Sequence, residues 1–356
     1  MTTRWAARTL IWHPLRLSSP AEVCERHECP RPSAPFYLGI DLGGTNIKSG
    51  VVDDQGRPVS SVSVETNADR GPENGLESLA EAGRLAVRAS GLGWDEIEAV
   101  GLGSPGTMDI PAGLLLDPPN LPGWVNFPIR QRLAEALGKP TVLQNDANAA
   151  AFGEYWAGAG RNTRSLVMFT LGTGIGCGIV EDGRIIEGRH SHGAECGHII
   201  IQMDGGRQCS CGGYGHLEAY ASATALVKRA TEALDHHAGS ILAESLSRGT
   251  LTSRAISEAA DRGDALAIRL MRETARYCAV GAVCLMHTIN PDIVLFGGGM
   301  IAAGQGFLND IRSDIRSMAF PIPGEKTRIQ YAELGGDAGF IGAAGCARQA
   351  FGAKRN

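Results

Sequence analysis

Residues 140–156 read PTVLQNDANAAAFGEYW. The β-favouring run Thr141-Val142-Leu143 passes through Gln144-Asn145-Asp146 into an alanine-rich segment with few β-formers, a pattern that reads as strand, polar junction and helix. A carboxylate, Asp146, therefore stands where strand becomes helix. Such a junction lies at the carboxyl edge of a sheet, where open α/β folds bind ligands, and Ala149 to Ala151 with Gly153 allow close packing behind it. Taken alone, Asp146 reads equally as a helix cap and as a functional carboxylate. At a helix start it is expected to stay ionised, with a low pKa, so as a base it would accept its proton late.

Residues 36–56, FYLGIDLGGTNIKSGVVDDQG, describe an apolar strand to Asp41, a Gly43-Gly44-Thr45 turn and a returning strand to Val52. Glycines at such a tip let backbone N–H groups approach a phosphate, and Thr45 and Asn46 add side-chain donors. Asp41, beside the tip, is placed to hold Mg²⁺ through water. A plain hairpin would look the same, but this one recurs. Residues 169–183, FTLGTGIGCGIVEDG, repeat it about 129 positions later, with Gly172-Thr173-Gly174 at the tip. Duplication of a glycine-tipped hairpin is far more specific than either copy.

A third glycine cluster, Gly297-Gly298-Gly299, follows the apolar strand Ile293 to Phe296, as a nucleotide-site loop or a packing turn would. Near the C-terminus, residues 335–344, GGDAGFIGAA, repeat the polar junction and small-residue helix of the opening stretch. Between the second hairpin and the third glycine cluster, Ala223 to Thr288 is alanine, leucine and charge at helical spacing.

The 356 residues, 43% hydrophobic and 20% charged, suffice for two packed domains. A net charge of −5 offers no attraction to nucleic acid or an anionic membrane. No apolar run approaches the ~20 residues that span a bilayer. The nine cysteines are unevenly spread, Cys24 and Cys29 near the start and Cys278 and Cys284 in helix-like apolar context, as reduced thiols of a cytoplasmic protein would be. Residues 1–35, with five prolines and no period, read as a disordered extension or an upstream start. His198, Cys209, Cys211 and His216 form an H-x10-C-x-C-x4-H array, which suits tetrahedral Zn²⁺ but is also compatible with free thiols in a glycine-rich loop.

DLGGTN at 41–46, SPG at 104–106, NDANAAAFGE at 145–154, LGTGIGCG at 171–178 and the run from Gly193 to Ser222 resemble the ROK family of bacterial repressors and sugar kinases, most of all its ATP-dependent glucokinases. The resemblance covers the chain from about Phe36 to the end. It implies an α/β, two-lobed actin-like (ribonuclease H-like) fold with a cleft between lobes: residues 36–143 plus a C-terminal helix from about 340 in one, 144–339 with a zinc loop in the other. It also implies ATP and Mg²⁺, a structural Zn²⁺, a hexose acceptor and a homodimer. Glucose is the first expectation, with N-acetylmannosamine, fructose or another hexose as alternatives, polyphosphate as another donor, and a sugar-sensing regulator as the non-enzymatic reading. Motif by motif, Asp146 falls on the catalytic aspartate. Asn145, Glu195, His198 and Glu218 fall on sugar-binding positions, with Gly106 and Asn120 on loops near the sugar. Asp41, Gly43, Gly44, Thr45, Asn46, Lys48, Gly172, Thr173, Gly174 and Gly298 fall on the nucleotide site. The family pattern has a third cysteine where this chain has His216.

Overall fold

The computed structural model describes residues 35–67, 70–118, 121–237 and 239–352. The expectation for the N-terminal extension, with Cys24 and Cys29, lies outside the described residues, as does Asn120.

In the first half, β1 (Phe36–Leu42) and β2 (Asn46–Asp53) form the antiparallel hairpin read from the glycine turn, and β3 (Val62–Glu65) extends it. Helix α1 (Pro72–Ser90) starts on a proline, whose fixed φ suits the first turn, and stops at Gly91, which takes the left-handed conformation (φ 72°). Then follow β4 (Ile97–Ser104), a small two-stranded ribbon of β5 (Met108–Asp109) and β6 (Leu114–Leu115), α2 (Ile129–Leu137) and β7 (Thr141–Asn145). The sheet order is β3-β2-β1-β4-β7, with β1, β4 and β7 parallel. These three strands are almost wholly buried, hence their near-continuous apolar runs rather than an alternation.

Helix α3 (Asp146–Ala157) carries the chain to a second sheet. There β8 (Ser165–Leu171), β9 (Ile175–Glu181) and β10 (Arg184–Ile185) are followed, after the helices α4 (Glu218–Ala221), α5 (Ala223–Leu234), α6 (Leu242–Ser247), α7 (Ser253–Asp261) and α8 (Ala265–Thr288), by β11 (Ile293–Gly297). Helices α9 (Gly304–Met318) and α10 (Pro321–Lys326) lead to β12 (Arg328–Tyr331). The order β10-β9-β8-β11-β12, with β8, β11 and β12 parallel, reproduces the first sheet strand for strand. The duplication expected from the hairpins is thus a duplication of a whole ribonuclease H-like half.

The last helix, α11 (Ala338–Phe351), leaves the second sheet and packs on β1, β4 and α3. Its small residues are required by that packing. A Cβ on Gly342 would collide with the carbonyl of Ala149, and one on Gly153 would press on that of Ala338. The two halves keep separate apolar cores, one around Leu38, Ile40, Leu79 and Trp124, the other around Phe169, Phe296, Leu226 and Ala279, which holds the Cys278 thiol expected in the core. Among the described residues no helix is long and apolar enough to cross a membrane.

Candidate active site

The parallel strands of each sheet end on the same side, so the residues that follow β1, β4, β7, β8, β11 and β12 converge. That is the edge at which α/β sheets bind ligands. Gly43, Gly106, Asp146, Gly172, Gly298 and Asp337 all follow one of these ends.

Asp146 is the first residue of α3, but it is not the cap. Asn145 takes that role, its Oδ1 accepting the N–H of Asn148 at 3.1 Å. Gln144 braces the junction: its Oε1 accepts from Asn145 N at 2.8 Å and Asn148 Nδ2 at 3.2 Å, while its own amide donates to Glu187 at 2.7 Å. With capping assigned to its neighbour, the Asp146 carboxylate is left for other work. Its pKa corrects the sequence expectation, because it is raised, to about 6. Burial is the main cause and the nearby Glu195 charge adds to it, together outweighing the Ala147 N–H bond at 2.8 Å and the Asn145 side chain. The carboxylate keeps some contact with solvent, yet the surrounding protein is dense enough to desolvate it.

Asp41, at the end of β1, is pushed up to about 7 by burial first and by Asp146 second, with Lys48 opposing. Its carboxylate is wedged between two glycines. A Cβ on Gly339 would strike it, and one on Gly103 would lie 3.8 Å from Oδ1. Lys48, paired with Asp41 across the hairpin, turns its ammonium to Asp337 Oδ1 at 2.5 Å and to the Gly336 carbonyl at 3.0 Å. Asp41, Lys48 and Asp146 thus meet, and Asp337 joins them.

Gly44, Thr45 and Asn46 form an exposed tip, braced from below where Thr66 donates its hydroxyl to Gly43 O at 2.6 Å and its N–H to Thr45 O at 2.9 Å. The second tip, around Thr173, is closed by Gly172 N to Gly174 O at 3.0 Å and anchored by Ala223 N to Gly172 O at 2.9 Å. Gly298 (φ 83°) abuts the backbone of Leu171, with a substituent Cβ 2.5 Å from its carbonyl oxygen, so the third glycine cluster flanks the second hairpin. Gly106 (φ 86°) makes the turn after β4.

Glu195 is exposed and precedes a tight turn, Cys196–His198, that presents His198. Glu218, on the short α4, is already engaged. Oε2 accepts the Ile175 N–H at 2.9 Å, and Oε1 accepts the Ser210 hydroxyl at 2.6 Å. It ties the second glycine hairpin to the cysteine loop. The buried Arg229 holds α4 in place by donating to Tyr220 O at 2.7 Å and to Glu273 at 2.8 Å.

The ligand atoms of His198, Cys209, Cys211 and His216 lie within 4.8 Å of one another. Cys209 Sγ is 3.7 Å from His198 Nδ1, and Cys211 Sγ is 3.2 Å from His216 Nδ1. Tetrahedral zinc with bonds of ~2.0–2.3 Å sets ligand atoms roughly 3.3–3.8 Å apart, so a Cys2His2 set fits with little movement. Asp41 fits a hard divalent cation, being a desolvated oxygen donor beside a second carboxylate, Asp146.

Sequence reasoning did not single out Asp337, Gln144, Glu187 or Ser210. Only Asp337 carried a usable signal, since the repeated junction places it where Asp146 stands in the other half.

The ROK family model matches residues 37–350. A glucokinase of Halalkalibacterium halodurans is 36% identical over 310 residues, 86% of this chain and 93% of that one. The ROK hexokinase of Thermus thermophilus is 37% identical with a TM-score of 0.77, covering 88% of this chain and 98% of that one. A ROK family glucokinase from Streptomyces griseus, solved in complex with glucose and AMPPNP, is 36% identical with a TM-score of 0.74, covering 88% and 99%.

Proposed function

The chain belongs to the ROK family and is a sugar kinase of that family, and on this premise we propose that it transfers the γ-phosphoryl group of ATP to the C6 hydroxyl of glucose. The observation that carries the reading is the position of Asp146, between Asp41 and Lys48 at the glycine hairpin on one side and Glu195 on the other. The Streptomyces griseus relative, described with glucose and AMPPNP, supports the same pair of ligands here.

Asp146 accepts the hydroxyl proton as phosphoryl transfer proceeds. With a pKa of about 6 it is ionised at neutral pH yet more basic than an ordinary aspartate, near the optimum for a general base. Asn145, Glu195, His198 and Glu218 orient the sugar through its hydroxyls. The two glycine tips, Thr45, Asn46, Thr173 and Gly298 receive the nucleotide, with Lys48 beside its phosphates. Asp41 would hold Mg²⁺, which when bound neutralises charge on the phosphates. His198, Cys209, Cys211 and His216 would hold a zinc ion with no open position, whose role is to stiffen the loop that presents His198 and Ser210.

A coupled ADP-release assay across glucose, mannose, fructose, N-acetylglucosamine and N-acetylmannosamine tests the reading, with polyphosphate as alternative donor. Glucose with ATP is expected to give the highest kcat/KM. Absence of turnover with every sugar would sink it.

A further inference from the structure

Duplication gives each half a carboxylate at the same address, the first turn after its fifth strand. In the first half this is Asp146, after β7; in the second it is Asp337, after β12. Their surroundings have diverged. Among the described residues Asp146 forms no ion pair, whereas Asp337 meets the Lys48 ammonium at 2.5 Å, and the preceding carbonyl of Gly336 accepts from the same ammonium at 3.0 Å.

Three features make this pair more than a surface ion pair. First, Lys48 lies opposite Asp41 on the glycine hairpin, so its position sets the charge at the nucleotide end of the site. Second, the turn that carries Asp337 also carries Gly339, whose lack of a side chain admits the Asp41 carboxylate. One turn therefore shapes both charged groups. Third, an ammonium has three N–H donors. Two are taken by Gly336 and Asp337, which fixes the direction of the stem and leaves one for an incoming phosphate oxygen.

We propose that Asp337 is a positioning residue for the nucleotide: it holds the Lys48 ammonium at the glycine hairpin so that the triphosphate meets a fixed cation instead of a freely rotating one. The proposal rests on the kinase reading above. Both side chains are about a third exposed, at 34% and 39%, so the pair contributes little to folding stability, and its effect belongs to ligand affinity.

Calorimetric titration with Mg-AMPPNP and, separately, with glucose tests this without turnover. Asp337→Asn is expected to weaken AMPPNP by about tenfold, the size of one charge-assisted anchor, and to leave glucose affinity and the melting temperature unchanged. Lys48→Met should weaken AMPPNP similarly, and the double variant should be no worse than Lys48→Met alone. Asp337→Glu should recover part of the loss. Unchanged AMPPNP affinity in Asp337→Asn, or additive losses in the double variant, would overturn the proposal while leaving the kinase reading intact. Equal loss of both ligands with a lowered melting temperature would show a structural role and overturn it too. A wild-type protein that binds no AMPPNP would remove the kinase reading and this inference together.

Discussion

Glu154 Oε1 accepts the backbone N–H of Leu334 at 2.7 Å, joining points 180 residues apart. Its other oxygen accepts the N–H of Ala159 at 2.9 Å, and the side chain is wholly buried. The chain crosses between the sheets twice, by α3 with the turn after it and by the segment from β12 to α11, and both crossings meet on this carboxylate. Glu154→Gln keeps the shape but sets an amide N–H₂ against a backbone N–H. A buried donor then loses its partner, and the expected destabilisation is about 3 kcal/mol. Urea unfolding measures it; a change under about 1 kcal/mol would mean that the site relaxes or admits water.

Asp146→Asn should lower kcat by about 10²–10⁴-fold with sugar KM within a few-fold. It should also make the protein more stable at pH 8. The sign follows from the raised pKa: the folded state holds the Asp146 proton up to about 6, the unfolded chain only to its ordinary 3.8, so ionisation at neutral pH disfavours folding. That handicap fades as pH falls from about 6 towards 3.8. Replacing the carboxylate removes it, a gain of about 2–3 kcal/mol at pH 8 that disappears near pH 4. Denaturant melts at the two pH values decide it, and equal gains at both would contradict the assigned cause.

The wild-type kcat/KM for sugar should fall on the acid side with an apparent pKa near 6, as Asp146 takes up its proton. A profile flat to pH 5 would place the essential base elsewhere.

Chelator-free protein should carry about one zinc per chain, lost in His216→Ala and kept in His216→Cys, since imidazole and thiolate are both good zinc ligands. Elemental analysis reads this directly. Zinc retained at full stoichiometry in His216→Ala would remove His216 from the set. Stripping the metal should loosen sugar affinity more than nucleotide affinity, because the loop presents His198.

What was legible in the chain followed the reach of each signal. The two glycine hairpins showed themselves because strand, turn and returning strand are local, and their repetition exposed the duplicated fold. The meeting of His198, Cys209, Cys211 and His216 is legible because they span one loop. Asp146 is legible as a junction residue, but its raised pKa is not: the helix dipole is visible in sequence, whereas the desolvation by the fold around it and the charge of Glu195 are not. The Lys48–Asp337 and Glu154–Leu334 contacts bridge such long separations that neither residue type nor spacing announces them. By sequence, Glu154 is one more polar position on an alanine-rich helix.

The glycine and alanine stripe where α3 crosses α11 also has a geometric meaning. Where Gly342 meets Ala149 and Gly153 meets Ala338, backbone lies against backbone rather than side chain against side chain. The spacing of the two helices is therefore set by their peptide groups. Asp146 opens one of these helices and Asp337 stands at the N-cap position of the other, so both carboxylates are placed from one shared contact.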